Sequence, residues 1–194
     1  MTQVFPVIQG FVVFCVMIVL ILMLLRLLAN YTDPNPFGTI GRLFYRIKKI
    51  TDRFVYPVSR AMASMRLDTR LAPLIVIFGF IVAGYFLIQF FSDLFVMIDG
   101  VAMNIVAGSI AKIAGHILYG LLSIYSLMIV LRIIMSWIGN PSGKFVRFLI
   151  RLTEPVLGPF RRMIPMIGPF DISPIVVIFI FRFLQMAVAA VLLA

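Results

Sequence analysis

Four long apolar runs divide the chain. Residues 1–25, 71–92 and 113–131 contain no Asp, Glu, Lys or Arg, and residues 172–194 are interrupted only by Arg182. A helix needs roughly 20 apolar residues to cross about 30 Å of hydrocarbon. The pattern therefore predicts four membrane-spanning helices. They are expected near 5–29, 72–96, 115–138 and 173–193.

The first run is predicted to be a retained anchor rather than a signal peptide. It has no basic region before it, it is too long for a signal sequence, and its first cation, Arg26, follows it. The single cysteine, Cys15, lies in this run, so the chain can form no intramolecular disulfide. We expect a buried, structural thiol there.

Composition supports a membrane protein. Hydrophobic residues make up 63% of the chain and charged residues 12%, whereas a soluble domain carries about 25% charged residues. The formal net charge is +10. Because the cations lie directly beside apolar runs, anionic phospholipid headgroups are the expected partner, and nucleic acid is not.

The cations are concentrated in two segments. Residues 30–71 and 139–171 hold 13 of the 17 Lys and Arg residues, with Arg26 and Arg132 at their edges. Short loops rich in Lys and Arg stay on the cytoplasmic side of a membrane. We therefore expect two hairpins with cytoplasmic loops, and both chain termini on the outer side.

The two hairpins share sequence. A basic segment that contains a threonine, a carboxylate and a proline occurs twice, 102 positions apart. Three further pairs of segments match in the same order. This pattern predicts a tandem duplication in one orientation, with repeats 1–98 and 99–194 related by an axis along the membrane normal. The matched pairs are 24–31 with 130–137, 35–38 with 140–143, 49–60 with 151–162, and 72–80 with 173–181.

Each basic loop is predicted to contain an amphipathic helix. In residues 39–50 and 142–152, apolar side chains recur at helical spacing and cations occupy the other angles. An apolar stripe beside a basic face is typical of a helix that lies in the headgroup plane. The cations expected at the lipid surface are Arg42, Arg46, Lys48, Lys49, Lys144, Arg147 and Arg151.

A threonine followed by a carboxylate stands in each loop, at Thr51-Asp52 and at 153–154. One interpretation is a helix N-cap, since the hydroxyl can accept from free backbone N–H groups and the anion faces the helix dipole. Pro57 and Pro159 would then limit the following helix. The other interpretation is a cytoplasmic functional site. Its candidate residues are Thr153, Glu154, Arg161, Arg162 and Asp171.

Arg182 lies about ten residues into the fourth run, and the first repeat has Ile81 in its place. A central arginine costs about 2.5–3.5 kcal/mol on insertion scales, so it should face protein or water. We expect no carboxylate at that depth and expect Arg182→Leu to leave insertion intact. Arg182 is either a structural arginine or a contact for an anion or solute. Its expected polar neighbours are Tyr85, Ser123, Tyr125 and Ser126.

No catalytic or cofactor motif is present. The single histidine, His116, has no Cys or Glu at metal-ligand spacing, and we expect an interfacial polar residue. The chain lacks the glycine-rich nucleotide-binding motifs and the nucleophile-elbow motif. We therefore expect no enzyme activity, cofactor or metal. The Gly- and Ala-rich residues 100–115 favour close helix packing or an outer-surface helix, with a re-entrant pore segment as the alternative.

The second repeat carries a family resemblance. The motifs are R-x-x-x-S-W at 132–137, L-T-E-P-x-L-x-P-x-R-R at 152–162, Ile164-Pro165, and D-I-S-P-I-V at 171–176. They resemble the YggT family, including its YlmG relatives, and the first repeat is a more diverged copy, with Ala72 where the second has Ser173. The resemblance implies a small bacterial inner-membrane protein of duplicated hairpins.

Two functions remain open. The resemblance links the protein to osmotic and envelope stress tolerance, which would fit a non-enzymatic protein that eases passage of ions or solutes. The alternative is a membrane scaffold that binds anionic lipid and a partner in cell division or membrane-protein biogenesis. The partner would be a membrane protein or a second copy of the chain.

Overall fold

The computed structural model describes residues 4–32, 38–138, 143–164 and 171–193, and their regular elements are all helical. Four stretches are long and apolar enough to span a membrane: Val4–Tyr31, Thr69–Ala107, Ile110–Met135 and Ser173–Leu193. The prediction of an all-α protein with four such helices is confirmed. The helices are α1 (Val4–Thr32), α2 (Thr39–Ser64), a 3₁₀ turn (Thr69–Leu71), α3 (Ala72–Ala107), α4 (Ile110–Ile138), α5 (Lys144–Met163) and α6 (Ser173–Val188), which continues as a π-helical turn (Ala189–Leu193).

The helices form two groups of three, and α3 and α4 join the groups. Helix α3 packs against α1 and α4, and α4 also packs against α6. Helix α2 contacts α1, α3 and also α4, whereas α5 contacts α4 and α6. Each group has its own buried apolar core. The first core contains Met23, Val55, Val58, Met62, Ala72 and Val76, and the second contains Ile129, Val130, Leu157, Val177 and Ile178.

The connection between α3 and α4 is shorter than predicted. Helix α3 has 36 residues and is therefore about 54 Å long, well beyond the expected end near residue 96. It stops at Gly108, whose φ of 71° is left-handed and favours glycine, and α4 begins two residues later. Residues 100–115 thus form the ends of two packed helices. The predictions of a separate outer-surface helix and of a re-entrant segment are both wrong.

Helices α2 and α5 are continuous through their prolines. Pro57 lies inside α2, and Pro155 and Pro159 lie inside α5. The prediction that Thr51 and Thr153 start helices is therefore wrong, because both residues lie in helix interiors. Their hydroxyls instead donate to the carbonyl oxygens four residues earlier, those of residues 47 and 149.

The Cys15 side chain is exposed, which contradicts the expected buried thiol. Cys15 lies on the outer face of α1, between Phe14 and Met17, which are also exposed. An exposed apolar face of a membrane-spanning helix contacts lipid rather than water. A small hydrophobic residue there needs no protein partner.

Candidate functional site

Arg26, near the end of α1, holds α2 through two side chains. Its Nη1 donates to Thr51 Oγ1 at 2.6 Å and its Nη2 to Asp52 Oδ1 at 2.7 Å. Nη1 also donates to the carbonyl oxygen of Lys48 at 3.2 Å. Arg26 and Thr51 are both buried, whereas Asp52 is exposed. We call Arg26, Thr51 and Asp52 the first cluster.

The second cluster, Arg132, Thr153 and Glu154, makes the same contacts between α4 and α5. Arg132 donates from Nη1 to Thr153 Oγ1 at 2.7 Å and from Nη2 to Glu154 Oε2 at 2.6 Å. Hydrogen bonds between ionised partners are shorter and stronger than neutral ones. In both clusters one arginine thus joins a spanning helix to a threonine and a carboxylate of the helix that follows it.

The second cluster extends to the start of α6. Arg161 Nη1 lies 3.2 Å from Glu154 Oε1, and Arg161 Nε donates to Asp171 Oδ2 at 2.7 Å. The other oxygen of Asp171 accepts the backbone N–H of Ser173 at 2.9 Å. Burial by itself raises the pKa of Asp171, but the contacts with Ser173 and Arg161 outweigh it and lower this pKa below its ordinary value.

The structure gathers most of the predicted cytoplasmic site. Thr153, Glu154, Arg161 and Asp171 form one connected network, whereas Arg162 is exposed and no described carboxylate pairs with it. Sequence reasoning placed Arg132 beside its loop without assigning it to the site. The sequence did contain a signal for Arg132, because an arginine before the loop and a Thr-carboxylate pair within the loop occur in both halves of the chain.

A second group of polar residues lies among the spanning helices. Asp93 of α3 is 2% exposed, and its Oδ2 lies 3.0 Å from Arg182 Nη1 of α6. Ser123 donates to the same oxygen at 2.7 Å, and Tyr119 donates to Oδ1 at 3.1 Å. Gln185 accepts from Arg182 at 3.0 Å and donates to the Tyr119 carbonyl oxygen at 3.1 Å. We call these five residues the intramembrane cluster.

The prediction that no carboxylate lies at the depth of Arg182 is wrong, because Asp93 does. Among the predicted neighbours, Ser123 belongs to the cluster and the other three do not. Tyr85 is exposed, Tyr125 donates to the Leu152 carbonyl oxygen, and Ser126 donates to a carbonyl of its own helix. Asp93 was missed because it stands near the end of the predicted span, whereas α3 continues 14 residues beyond it.

The cations predicted at the lipid surface are all exposed. On α5 the buried positions are Val146, Leu149, Thr153 and Leu157, which recur every three or four residues and face the spanning helices. Two aromatic side chains of the same helix, Phe145 and Phe148, are 55% and 52% exposed. The outward side of α5 therefore carries both positive charge and large apolar groups.

The remaining candidate chemistry is limited. His116 Nδ1 lies 2.8 Å from the carbonyl oxygen of Lys112, and the ring packs against Gly100, where a Cβ would have no room. Within the described part of the chain, no three His, Cys, Asp or Glu side chains are placed to hold a metal ion.

Length, apolar composition and buried polar links between helices define the class of protein: a multi-pass helical membrane protein. Residues 111–192 match the model of the CCB3/YggT family. The resemblance predicted from the sequence is therefore supported for the second half of the chain. No solved structure matches the chain significantly.

Relatives come from bacteria and a plant. YggT of Escherichia coli (strain K12), itself named as uncharacterized, is 35% identical over 68 residues, which are 33% of this chain and 35% of that protein. A Vibrio alginolyticus protein named for the proC 3' region is 33% identical over 89 residues, 42% and 46% of the two chains. The chloroplastic YlmG homolog protein 2 of Arabidopsis thaliana is 36% identical over 58 residues, 30% and 23%. The chain thus spans less than half the length of each of these relatives.

Proposed function

We propose that the protein is a non-enzymatic scaffold of the bacterial inner membrane, of the YggT type, which holds two basic helices against anionic lipid. The observation that carries this proposal is the pair of matched arginine clusters. Each cluster fixes a loop helix to the end of a spanning helix and leaves the cations of the loop helix outward.

The outward sides of α2 and α5 have the chemistry of a lipid surface. Each basic residue near an anionic leaflet contributes about 1 kcal/mol of attraction. The exposed Phe145 and Phe148 would insert below the headgroups, as the apolar side of an interfacial helix does. Both loops would lie in the cytoplasm and both termini outside, in agreement with the positive-inside rule.

The matched clusters also support two tandem repeats, 1–98 and 99–194. Arg26 and Arg132 contact threonine and carboxylate groups in the same way, at positions that the sequence match already pairs. Two similar basic hairpins in one protein suit a partner that is itself symmetric or anionic. We propose a second copy of the chain, or a membrane protein of cell division or membrane-protein biogenesis, as that partner.

A fluorescent probe tests whether α5 docks in the interface. The probe is attached to a cysteine at Leu152, which is partly exposed, in a Cys15→Ser background. In vesicles that contain phosphatidylglycerol, its emission should report an apolar environment. Phe145→Asp with Phe148→Asp should shift the emission toward that of bulk water, because two charges would then replace the inserted aromatic rings.

Lipid composition provides the control. Replacement of Lys144, Arg147 and Arg151 by glutamine should shift the probe in phosphatidylglycerol vesicles and have little effect in vesicles of phosphatidylcholine alone. A probe that reports bulk water in the unsubstituted protein would contradict the proposal.

A second candidate function, passage of ions or solutes during osmotic stress, is favoured by the intramembrane cluster. Charged residues within spanning helices are costly, and they frequently mark ion pathways. The cluster contains a carboxylate, a guanidinium, an amide and two hydroxyl groups. We place this function second because Arg182 already has an acidic partner.

Flux measurements test this second candidate. Purified protein in liposomes should release a trapped ion or solute after osmotic downshift, and Asp93→Asn should change the rate at least several-fold. Gly10→Ala, on the exposed face of α1, serves as the control. Permeability equal to that of empty liposomes would exclude passage and leave the scaffold function unaffected.

A further inference from the structure

A basic groove lies beside the first cluster. It has a volume of about 540 Å³ and is bounded by α1, α2 and the 3₁₀ turn. Four cations line it: Arg26, Lys48, Arg60 and Arg70. Among the residues that the structure describes, no Asp or Glu lines the groove. The described walls of this open cavity therefore carry positive charge that they do not balance.

The second cluster has no such excess of charge, because Arg161 and Asp171 form an ion pair there. The sequence match aligns Arg161 with Ser59, a neutral residue that lines the groove. The first cluster therefore has no described equivalent of the Arg161–Asp171 ion pair. Arg70 also lines the groove, and its side chain has no acidic partner among the described residues.

Two described carboxylates beside the groove are engaged in other contacts. Asp52 is engaged by Arg26 Nη2, and Asp68 accepts the backbone N–H of Arg70 at 2.9 Å as the cap of the 3₁₀ turn. The buried Nε of Arg26 has no hydrogen-bond acceptor among the described residues. The described side chains at this end of α1 therefore present an excess of positive charge, which favours an anionic ligand.

We propose that this groove binds a phosphate group. Arginine and lysine supply the charge, and the neutral side chains of Asn30 and Thr69 offer further hydrogen bonds. The phosphate belongs to an anionic lipid headgroup or to a soluble phosphate. Placing the groove at headgroup level rests on the proposed function; binding of a soluble phosphate does not require it.

Two probes separate these sources. Delipidated full-length protein in neutral detergent is titrated with dihexanoyl-phosphatidylglycerol below its micelle concentration, and separately with inorganic phosphate, by calorimetry. Saturable binding of the lipid alone supports a headgroup site, and similar binding of both supports a site for free phosphate. In either case Arg70→Asp should weaken binding by roughly tenfold or more, because it replaces a cation of the groove with a carboxylate that repels phosphate.

Arg66→Asp is the matched control. It makes the same charge change four residues away at an exposed position outside the groove, and its left-handed φ of 58° is one that aspartate tolerates. The affinity of the Arg66→Asp protein for the same probe should stay within about twofold of that of the unsubstituted protein. Arg70→Gln, which removes charge without adding a carboxylate, should have an intermediate effect and covers the case in which Arg70→Asp does not fold.

The proposal is overturned if neither probe binds saturably, or if Arg66→Asp weakens binding as much as Arg70→Asp does. These results can be distinguished from results that contradict the proposed function. The fluorescent probe at Leu152 on α5 should respond to phosphatidylglycerol vesicles equally in the Arg70→Asp protein, because α5 lies at the other cluster.

Discussion

Asp93 accepts hydrogen bonds from four side chains, on α4 and α6. A buried carboxylate is costly unless it is paired and its remaining lone pairs are used, and here both conditions hold. The Arg182 guanidinium also lies 5.8 Å from the centre of the Phe86 ring. The two charges therefore compensate each other in a region where either one alone would be unfavourable.

Removal of Arg182 should destabilise the protein. The sequence predicted that Arg182→Leu leaves insertion intact, but in the structure the substitution would leave the buried carboxylate of Asp93 without its cation. We expect a loss of about 3–5 kcal/mol in the free energy of unfolding, measured by denaturant titration in detergent.

The control is the double variant, Asp93→Asn with Arg182→Leu, which removes both charges. It should recover more than half of the lost stability, because no unpaired charge is left. If the double variant is no more stable than Arg182→Leu alone, the ion pair is not the reason for the loss.

At the scale of the helix, α2 and α5 remain helical through their internal prolines. Each such proline removes one backbone hydrogen bond and costs roughly 3 kcal/mol in a helix interior. The stripe of buried residues on each helix and the arginine cluster beside it offset that cost. This is why Pro57 and Pro159, which were predicted to limit a helix, lie inside continuous helices.

Close packing of α1 on α3 depends on Gly84. A Cβ there would lie 2.7 Å from Val16 Cγ2, and the branched valine side chain has little freedom to move. We expect Gly84→Ala to lower the free energy of unfolding by about 1–3 kcal/mol. The measurement is the same denaturant titration in detergent.

Gly10→Ala on α1 is the comparison for this prediction. No atom lies within 4 Å of the added Cβ, and alanine favours helix over glycine by roughly 0.5–1 kcal/mol. Stability should therefore be unchanged or slightly higher. Equal losses from the two substitutions would mean that the Gly84 contact is not what limits the approach of α1 to α3.

At the scale of the whole molecule, two three-helix groups meet along α3 and α4. One long-range link between the groups is the ion pair of Asp93 and Arg182, which are 89 residues apart. Each group is also closed internally by its own arginine cluster, and among the described residues only the second cluster extends to a further ion pair, that of Arg161 and Asp171. The molecule thus combines similar packing in both halves with different electrostatics.

Reporter fusions test the proposed orientation. Fusions at Ser64 and Ser142 should report the cytoplasm, and fusions at Gly108 and after Ala194 should report the outer side, because 13 of 17 cations lie in the two loops. Fusions at Ser64 and Ser142 serve as internal controls for each other. A cytoplasmic signal from Gly108 would contradict the parallel arrangement of the two hairpins.

The sequence by itself determined the four long helices, the position of the basic segments and most members of the second cluster. These features follow from composition and from periods of three to four residues, which are local properties of the chain. The sequence also paired Arg26 with Arg132 and Thr51 with Thr153 as equivalent residues, although it did not show that each arginine contacts its threonine.

Only the tertiary structure decided which distant side chains meet. Asp93 and Arg182 pair because α3 extends well past its expected end and because α3 and α6 pack on α4 at heights that no local pattern records. The tertiary structure also decided the length of α2 and α5, because burial of a whole helix face outweighs the local effect of proline. Contacts between helices depend on relative height and rotation, and those are set by packing rather than by the sequence of either helix alone.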